Sequence, residues 1–446
     1  MLRNLDITTM ESVAEAYNGK SVFLTGATGF VGKVMLEKLL YSCPGLEKVY
    51  ILTREKQNQN ANQRWIYLQL FSRLRESNPS TLDKIVPIVG DISEPNLGMK
   101  PSDEQLLIEK VSIVFHVAAT IKFNEPLQTA INVNVAGTSR VLSLSRRLRN
   151  PQAFVYMSTA YSNTDKDIVN EIVYPAPASL NEVRKLIEIG INKDQIKELL
   201  KGRPNIYTFT KALAEDLVAH NHGNVPAVII RPAIVSAGEW EPLVGWVDNW
   251  FGGTALMTSI AKGLIRVLLG QPHNNIDLIP VDYVSNLTIV SAAKCKSSDK
   301  VQVYNCCTSG DNPLTLQKLI EHILSAPRRT RPTHRILHEM PKCGAYSADE
   351  CVRYHLLHVL LDRFVKIQSK AVFVRDTLEY FTSRTWNIRA PKTRELYASL
   401  SAADKKQFTF DPCSIDWNVY IPKYCSGVKK YPPKNVLVIS IAVSLT

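Results

Sequence analysis

Short apolar runs alternate with longer stretches of helical periodicity from Lys20 to about Ala237. Nearly every residue in these runs is apolar, which is typical of strands buried on both faces of a parallel sheet. We therefore predict six parallel strands joined by crossover helices, the doubly wound α/β arrangement of a Rossmann fold. The predicted strands are Ser21–Thr25, Lys48–Thr53, Ile85–Val89, Val111–Val117, Ala153–Ser158 and Ala227–Arg231. The predicted helices include Gly32–Tyr41, Asn60–Arg75, Leu127–Arg147 and Tyr207–His220.

The alternation ends after Pro232, where the chain continues into an aromatic, glycine-flanked loop. This loop, Trp240–Gly253, is suited either to a wall over an apolar ligand or to aromatic packing in the core. An amphipathic helix is predicted around Leu256–Leu269. In the next segment, Leu278–Ala293, we predict that Asp282 caps the helix. We assign these pieces to the substrate side of the fold.

The composition, 45% hydrophobic and 21% charged over 446 residues, is that of an ordinary folded protein. Half of the formal net charge of +12 lies in residues 326–375, which hold ten Lys/Arg and four Asp/Glu. This basic stretch fits an anionic membrane surface, the phosphates of a ligand, or a solvated helical face. No nucleic-acid recognition motif accompanies it, so we expect no nucleic-acid partner.

The cysteine and terminal patterns favour an intracellular protein without a metal. The eight cysteines include no C-x-x-C pair, so we expect reduced thiols and no structural zinc. His355 and His358 share a helical pattern, for which a core or membrane-facing helix is the preferred interpretation. The first twenty residues carry Asp6, Glu11 and Glu15 and lack a continuous apolar stretch, so we expect no secretory signal. The apolar tail Val436–Leu445 is shorter than a spanning helix, so we predict either a shallow membrane anchor or a buried strand.

A glycine-rich turn follows the first predicted strand and opens a helix. In this context Gly26 permits the tight turn, Gly29 lets the backbone approach a pyrophosphate, and Gly32 lets the helix pack on the strand. The spacing is G-x-x-G-x-x-G rather than G-x-G-x-x-G. We predict a dinucleotide site whose first contacts are Thr25, Gly26, Thr28, Gly29, Phe30, Val31 and Gly32.

Arg54 follows the second strand, where an NAD-selective site usually has an acidic residue. An arginine there favours the 2′-phosphate of NADPH, and the alternative is a surface arginine at a strand end. Asn134 is expected on a helix facing the same crevice, with a hydrogen-bonding role in the core as the alternative. The remaining candidate cofactor contacts follow other strand ends and are Asp91, Ile92, Ala118, Ala119, Pro232 and Ile234.

Tyr207 and Lys211 lie four residues apart and hence on one helical face. A neighbouring ammonium is expected to lower the pKa of the phenol, so that Tyr207 can protonate an oxygen left negative by hydride attack. Both residues are also expected to contact the cofactor. A further donor to the substrate carbonyl is predicted at the end of the fifth strand, where Thr159 is preferred to Ser158.

These residues resemble the extended short-chain dehydrogenase/reductase superfamily and, within it, the animal fatty acyl-CoA reductases. The resemblance covers residues 12–325 and resumes from Leu378 to Tyr431. It is carried by the motifs Gly26-Ala-Thr-Gly29-Phe-Val-Gly32-Lys33, Val155-Tyr-Met-Ser158-Thr-Ala-Tyr161-Ser-Asn163, Arg203-Pro-Asn-Ile-Tyr207-Thr-Phe-Thr-Lys211-Ala-Leu-Ala-Glu215, and Gly245-Trp246-Val-Asp248-Asn249.

The resemblance implies reduction of a long-chain acyl-CoA to a primary alcohol by two NADPH, through an enzyme-held aldehyde. The resemblance also implies that the protein acts at the cytosolic face of an organelle membrane, such as that of the endoplasmic reticulum, a lipid droplet or a peroxisome. The stretch 326–375 and the apolar tail look shorter than in the family. Alternative functions are reduction of a sterol, sugar-nucleotide or flavonoid carbonyl, and a non-catalytic NADPH-binding scaffold. Nothing in the sequence indicates an oligomeric state.

The domains are predicted to follow one another along the chain. We expect a lead-in at residues 1–17, the NADPH-binding Rossmann domain with its substrate loop at 18–290, the rest of the substrate side with the basic link at 291–345, a helical C-terminal domain at 346–431, and a short apolar tail at 432–446.

Overall fold

The computed structural model describes residues 11–54, 69–249, 251–261, 264–265, 268, 270–296, 298, 300–325 and 369–431. These residues form two compact units, each assembled from three separate segments. The first unit takes its residues from Met1–Leu243, Asp277–Asn312 and Trp386–Ile415, and the second from Val244–Ile276, Pro313–Thr385 and Asp416–Thr446. Each unit is therefore discontinuous, whereas the domains predicted from the sequence are consecutive.

A seven-stranded parallel sheet forms the centre of the first unit, which confirms the predicted fold class. The strands along the chain are β1 Ser21–Thr25, β2 Lys48–Thr53, β3 Ile85–Val89, β4 Val111–His116, β5 Ala153–Met157, β6 Ile168–Val169, β7 Ala227–Pro232, β8 Ile234–Ser236, β9 Leu278–Pro280, β10 Gln302–Cys306 and β11 Asn387–Ile388. The order across the large sheet is β10-β7-β5-β4-β1-β2-β3. The small strands pair as β6 with β11 and β8 with β9.

The edge strand β10 was absent from the sequence prediction. Gln302 and Tyr304 are partly exposed, while Val303, Asn305 and Cys306 are buried. An edge strand has a neighbour on one side only, so it is not required to be apolar throughout. The strands predicted at the centre of the sheet begin where expected and end within one residue of the predicted positions.

The helices along the chain are α1 Phe30–Ser42, α2 Ser72–Ser77, α3 Pro101–Lys110, α4 Leu127–Ala130, α5 Gly137–Ser145, α6 Leu180–Ile189, α7 Lys193–Leu199, α8 Ile206–Asn221, α9 Gly253–Ala261, α10 Val281–Ala293, α11 Leu316–Ser325, α12 over residues 369–382, α13 Pro391–Ala398, α14 Ala402–Gln407 and α15 Trp417–Lys430. A π-helical turn, Ile131–Ala136, lies between α4 and α5 within the single helix predicted there. Most of the predicted helix Asn60–Arg75 lies outside the described residues.

Asp282 does not cap its own helix, which corrects the sequence prediction. The residue that precedes α10 is Pro280, and no side chain caps the helix. Asp282 instead accepts backbone N–H groups of the preceding loop, from Glu239 at 3.1 Å, Trp240 at 2.9 Å and Glu241 at 3.2 Å. The loop N–H groups have no strand or helix partner, so a buried carboxylate in the first turn of α10 satisfies them.

The second unit is helical and contains a close backbone approach. Gly245 has φ +73°, and a Cβ atom placed there would lie 2.6 Å from the carbonyl oxygen of Lys423 in α15. The hydroxyls of Thr254 and Tyr424 share a hydrogen bond of 2.6 Å between α9 and α15. In the predicted aromatic wall, Trp246 is buried at 8% exposure, whereas Phe251 is 57% exposed. Trp246 is therefore buried, as the core alternative predicted.

Over the described ranges, no helix combines the length and the apolar character needed to cross a membrane. The described residues also hold no group of three His, Cys, Asp or Glu side chains arranged for a metal ion. His355 and His358, most of the basic stretch 326–375, and the tail Val436–Leu445 lie outside the described residues. The membrane-surface location predicted from the sequence therefore stays a prediction.

Candidate active site

The glycine-rich turn joins β1 to α1 and requires glycine at two positions. Gly26 has φ +77°, and a Cβ atom there would lie 2.7 Å from the backbone nitrogen of Ala118. A Cβ atom on Gly32 would overlap the carbonyl oxygen of Gly26. Gly29 immediately precedes α1, and no side chain caps this helix. The first N–H groups of α1 can therefore receive a phosphate, as the sequence predicts.

A buried histidine, His116, is hydrogen-bonded to the residue that precedes this turn. The Thr25 hydroxyl lies 2.8 Å from Nδ1 of His116 and accepts the backbone N–H of Ala118 at 3.3 Å. On its other side, Nε2 of His116 lies 3.0 Å from the hydroxyl of Thr138. Burial, assisted by the charge of Lys211, lowers the pKa of His116 to about 3. The imidazole is thus neutral and holds the strand ends β1 and β4 together.

Arg54 lies at the end of β2 with its side chain 77% exposed. Its Nε is 3.9 Å from Oδ2 of Asp91, whose other carboxylate oxygen accepts the N–H and hydroxyl of Ser93. The structure thus brings Arg54 and Asp91 together at neighbouring strand ends, as expected for the ribose end of a dinucleotide site. Ile92 is buried against Gly137, and a Cβ atom placed on this glycine would lie 3.1 Å from the carbonyl oxygen of Ile92.

Asn134 lies in the π-helical turn and is buried at 1% exposure. Its Oδ1 accepts the N–H of Thr120 at 2.9 Å, and its Nδ2 donates to the carbonyl of Thr120 at 3.1 Å. The same Nδ2 donates to the hydroxyl of Thr210 on α8 at 3.0 Å. The amide therefore joins the chain after β4 to α8, the helix that carries Tyr207 and Lys211. These contacts are those of the core alternative, and a direct cofactor contact stays a prediction.

Tyr207 and Lys211 lie on α8, whose first turn is capped by Asn205. Lys211 is 2% exposed, and its Nζ donates to the carbonyl of Met157 at 2.6 Å. The Tyr207 side chain is only partly buried, and its ring stacks on that of Phe123 with a centroid separation of 6.1 Å. Across the described chain, no hydrogen-bond partner lies at its hydroxyl, so the phenol is open to a substrate.

The two pKa shifts at this pair have the same cause. Burial lowers the pKa of Lys211 to about 7, and the charge of Glu215 opposes this shift. Burial also raises the pKa of Tyr207, in the direction opposite to the one expected from a neighbouring ammonium. Desolvation disfavours the charged form of each group. The phenol is therefore held protonated, which suits a proton donor.

The predicted hydroxyls lie at the end of β5, beside the carbonyl that Lys211 binds. Thr159 precedes the 3₁₀ turn Ala160–Asn163; its Oγ1 accepts the N–H of Tyr161 at 3.3 Å and lies 3.5 Å from the carbonyl of Pro232. The Ser158 hydroxyl is bound to the buried carboxylate of Glu215. Both hydroxyls thus follow the strand end whose carbonyl Lys211 binds, but only that of Ser158 is hydrogen-bonded to a charged group.

The remaining candidate cofactor contacts follow the strand ends as predicted. Ala118 and Ala119 are partly exposed after β4, and Ile234 is partly exposed at the start of β8. In the turn, Thr28 is exposed, and Phe30 and Val31 are partly exposed. These positions line the same carboxyl edge of the sheet, where a dinucleotide binds in this class of fold.

Three buried groups near the site were missed by the sequence analysis: His116, Glu215 and Arg231. Each carried a weak signal, because each is a polar residue within an otherwise apolar strand or helix face. An arginine inside a predicted buried strand, as at Arg231 in β7, requires a buried partner. Which residue is the partner depends on the packing of α8, and periodicity does not give that information.

The glycine turn, the Tyr-Lys pair and the parallel sheet together define a Rossmann-fold NAD(P)-dependent reductase of the short-chain dehydrogenase/reductase type. Residues 24–288 match an NAD-binding family model described as Male sterility protein, and residues 351–435 match a second model with the same description. The chain is 36% identical to Fatty acyl-CoA reductase 1 of Xenopus laevis and 35% identical to that of Homo sapiens, in each case over 95% of this chain and 86% of the relative. It belongs to the fatty acyl-CoA reductase family.

Solved structures show the same fold at low sequence identity. The terminal R domain from the myxalamid PKS-NRPS biosynthetic pathway aligns with a TM-score of 0.65 and 20% identity, over 94% of this chain and 92% of that one. The reductase (R) domain of a non-ribosomal peptide synthetase from Mycobacterium tuberculosis aligns with a TM-score of 0.58 and 16% identity, over 95% and 96%. The whole described architecture therefore has counterparts in known reductase domains.

Proposed function

We propose that this protein reduces a long-chain fatty acyl-CoA to a primary fatty alcohol, with NADPH as the hydride donor. The observation that carries the proposal is the open phenol of Tyr207 beside the buried Lys211, in a chain that belongs to the fatty acyl-CoA reductase family. The relatives named above are called fatty acyl-CoA reductases, which supports an acyl-CoA as the substrate.

The preference for NADPH over NADH is supported by the charge at the end of β2. The guanidinium of Arg54 is 77% exposed and carries several N–H donors suited to a phosphate. Asp91 is the nearby carboxylate, and its Oδ1 is occupied by Ser93. An acidic residue at the Arg54 position would instead repel a 2′-phosphate.

Bound NADPH supplies a hydride to the substrate carbonyl carbon. Each of the two reductions would leave a negative charge on the substrate oxygen, and Tyr207 would donate a proton to it. After the first reduction the C–S bond would break and this proton would pass to the departing CoA sulfur, which leaves the aldehyde for the second reduction. Thr159 donates a hydrogen bond to the same oxygen, and Lys211 stabilises the phenolate that Tyr207 leaves behind. The overall reaction consumes one acyl-CoA, two NADPH and two protons, and releases one alcohol, one CoA thiol and two NADP⁺. One set of residues serves both steps because both steps generate an oxyanion.

The test is turnover of palmitoyl-CoA by the purified full chain with NADPH, with the product followed by mass spectrometry. Fatty alcohol is the expected product, and aldehyde alone would limit the reaction to its first reduction. Tyr207→Phe should abolish turnover and leave NADPH binding, measured by fluorescence titration, unchanged. If no carbonyl substrate is consumed by the unaltered chain, the protein is a cofactor-binding scaffold instead.

A further inference from the structure

The carboxylate of Glu215 holds both ends of the turn that carries Thr159. Glu215 is 1% exposed and lies one helical turn beyond Lys211 on α8. Its Oε1 accepts a hydrogen bond from the Ser158 hydroxyl. The Ser162 hydroxyl lies 3.0 Å from the same oxygen and 2.9 Å from the carbonyl oxygen of Thr159, so its proton is shared between these two acceptors. Ser158 precedes Thr159 and Ser162 follows it, so the carboxylate ties this turn to the catalytic helix from both sides.

Arg231 fixes the orientation of this carboxylate. The guanidinium is 0% exposed, and it donates from Nε to Oε1 of Glu215 at 2.9 Å and from Nη2 to Oε2 at 2.6 Å. Its remaining N–H groups donate to the carbonyls of Asn170 at 3.0 Å and Ile172 at 2.8 Å. A two-point contact of this kind restrains both planar groups, and here it leaves neither buried charge unpaired.

The charged and titratable groups around Lys211 come from three elements. On α8 they are Glu215 and Tyr207, on β5 the ring of Tyr156 lies 4.7 Å from Nζ, and on β4 the neutral His116 lies within electrostatic range. Glu215 is the acidic group whose charge acts on the ammonium, against the larger effect of burial. Loss of that charge would favour the neutral amine.

We propose that Glu215 is a positioning residue for the reduction, which orients the Thr159 hydroxyl through Ser158 and Ser162 and places a negative charge one helical turn from Lys211. The inference rests on the proposed function, because it assigns a role within that reaction. In this proposal Ser158 supports the turn, and the Thr159 hydroxyl contacts the substrate.

The hydroxyl part of the proposal is tested by a set of single variants. Ser158→Ala and Ser162→Ala should each lower kcat about 10-fold, since each removes one hydrogen bond to a charged acceptor, whereas Thr159→Ala should lower it about 10²–10³-fold. Ser285→Ala is the matched control, because Ser285 is equally buried and its hydroxyl donates to the carbonyl of Val281 at 2.8 Å. Equal losses in Ser158→Ala and Thr159→Ala, or no loss in Ser162→Ala, would overturn the proposal.

The charge part is tested by the pH dependence of kcat in Glu215→Gln. The alkaline limb of the profile should move to lower pH by about one unit, because Lys211 loses its neighbouring anion. If this variant does not fold, the pair Glu215→Gln with Arg231→Met removes both buried charges at similar volume and carries the same expectation. A folded variant whose alkaline limb is unmoved refutes the proposal. An unaltered chain without turnover on palmitoyl-CoA refutes the proposed function itself, and this inference with it.

Discussion

The carboxylate of Glu171 accepts the backbone N–H of Thr393 at 3.1 Å and its hydroxyl at 2.6 Å, although the two residues are 222 positions apart. Glu171 is 2% exposed and also accepts the N–H groups of Asn305 at 2.9 Å and Lys392 at 2.5 Å. One buried carboxylate thus joins the segment after the turn Ala160–Asn163 to the edge strand β10 and to α13. The segment Trp386–Ile415 is therefore an integral part of the first unit.

Removing this carboxylate should break the contact between these distant segments and lower the stability of the protein. Glu171→Ala leaves the N–H groups of Asn305, Lys392 and Thr393 buried without an acceptor, so we expect a loss of about 3–5 kcal/mol in the free energy of unfolding. Urea unfolding of the full chain, followed by circular dichroism, measures this change. Thr393→Val removes one hydroxyl only and should cost about 1 kcal/mol. Similar losses in the two variants would show that Glu171 does not have this central role.

Much of the sheet could be predicted because its central strands are buried on both faces. The bounds of β1 and β2 are those expected from their apolar runs, and the Tyr-Lys pair lies on one face of α8 as the spacing predicts. The edge strand β10 was missed because Gln302 and Tyr304 interrupt its apolar character. Polar contacts such as that of Asp282 with the loop before it depend on which elements pack together, and local patterns do not contain that information.

The same limit applies to the candidate site. The glycine turn and the Tyr207/Lys211 pair are local motifs, so the sequence identifies them directly. The support of the site is assembled from distant positions, as with Thr25, His116 and Thr138, or with Glu215 and Arg231. A sequence pattern shows that each of these residues is polar and expected to be buried. It does not show which of them are partners.

Arg54 should set the preference for NADPH over NADH. Arg54→Ala removes the guanidinium proposed to bind the 2′-phosphate, so the KM for NADPH should rise about 10–100-fold while the KM for NADH changes little. Steady-state kinetics with both cofactors measures the ratio. Arg54→Lys is the control, because it keeps the charge but loses the planar two-point geometry. Its preference for NADPH over NADH should lie between that of the unaltered chain and that of Arg54→Ala. An Arg54→Ala protein with an unchanged NADPH-to-NADH ratio would refute this role.

Gly26 should tolerate no side chain. Gly26→Ala places a Cβ atom 2.7 Å from the backbone nitrogen of Ala118 at a φ of +77°, so the turn must shift and NADPH binding should weaken at least 10-fold. Fluorescence titration measures the NADPH affinity. Gly19→Ala separates the two causes, because Gly19 has φ +65° but no atom within 4 Å of a Cβ position. This control should lose about 1–2 kcal/mol of stability from backbone strain and bind NADPH normally. Weak binding in both variants would assign the effect to general instability.

The ammonium of Lys211 should make activity and stability respond to pH in opposite directions. Burial lowers its pKa from the ordinary value of 10.5 to about 7, so the charged form that assists Tyr207 is lost as the pH rises above 7. The kcat/KM for palmitoyl-CoA should therefore fall between pH 7 and pH 9. Over the same range the unfolded chain binds more protons at this lysine than the folded chain does, so the free energy of unfolding should rise relative to Lys211→Met, which has no such proton. Kinetics from pH 6 to 9 and urea unfolding of both proteins at pH 6 and 9 test the two trends. A kcat/KM that stays flat above pH 7, or a stability difference that does not change with pH, would mean that Lys211 keeps its proton in the folded chain.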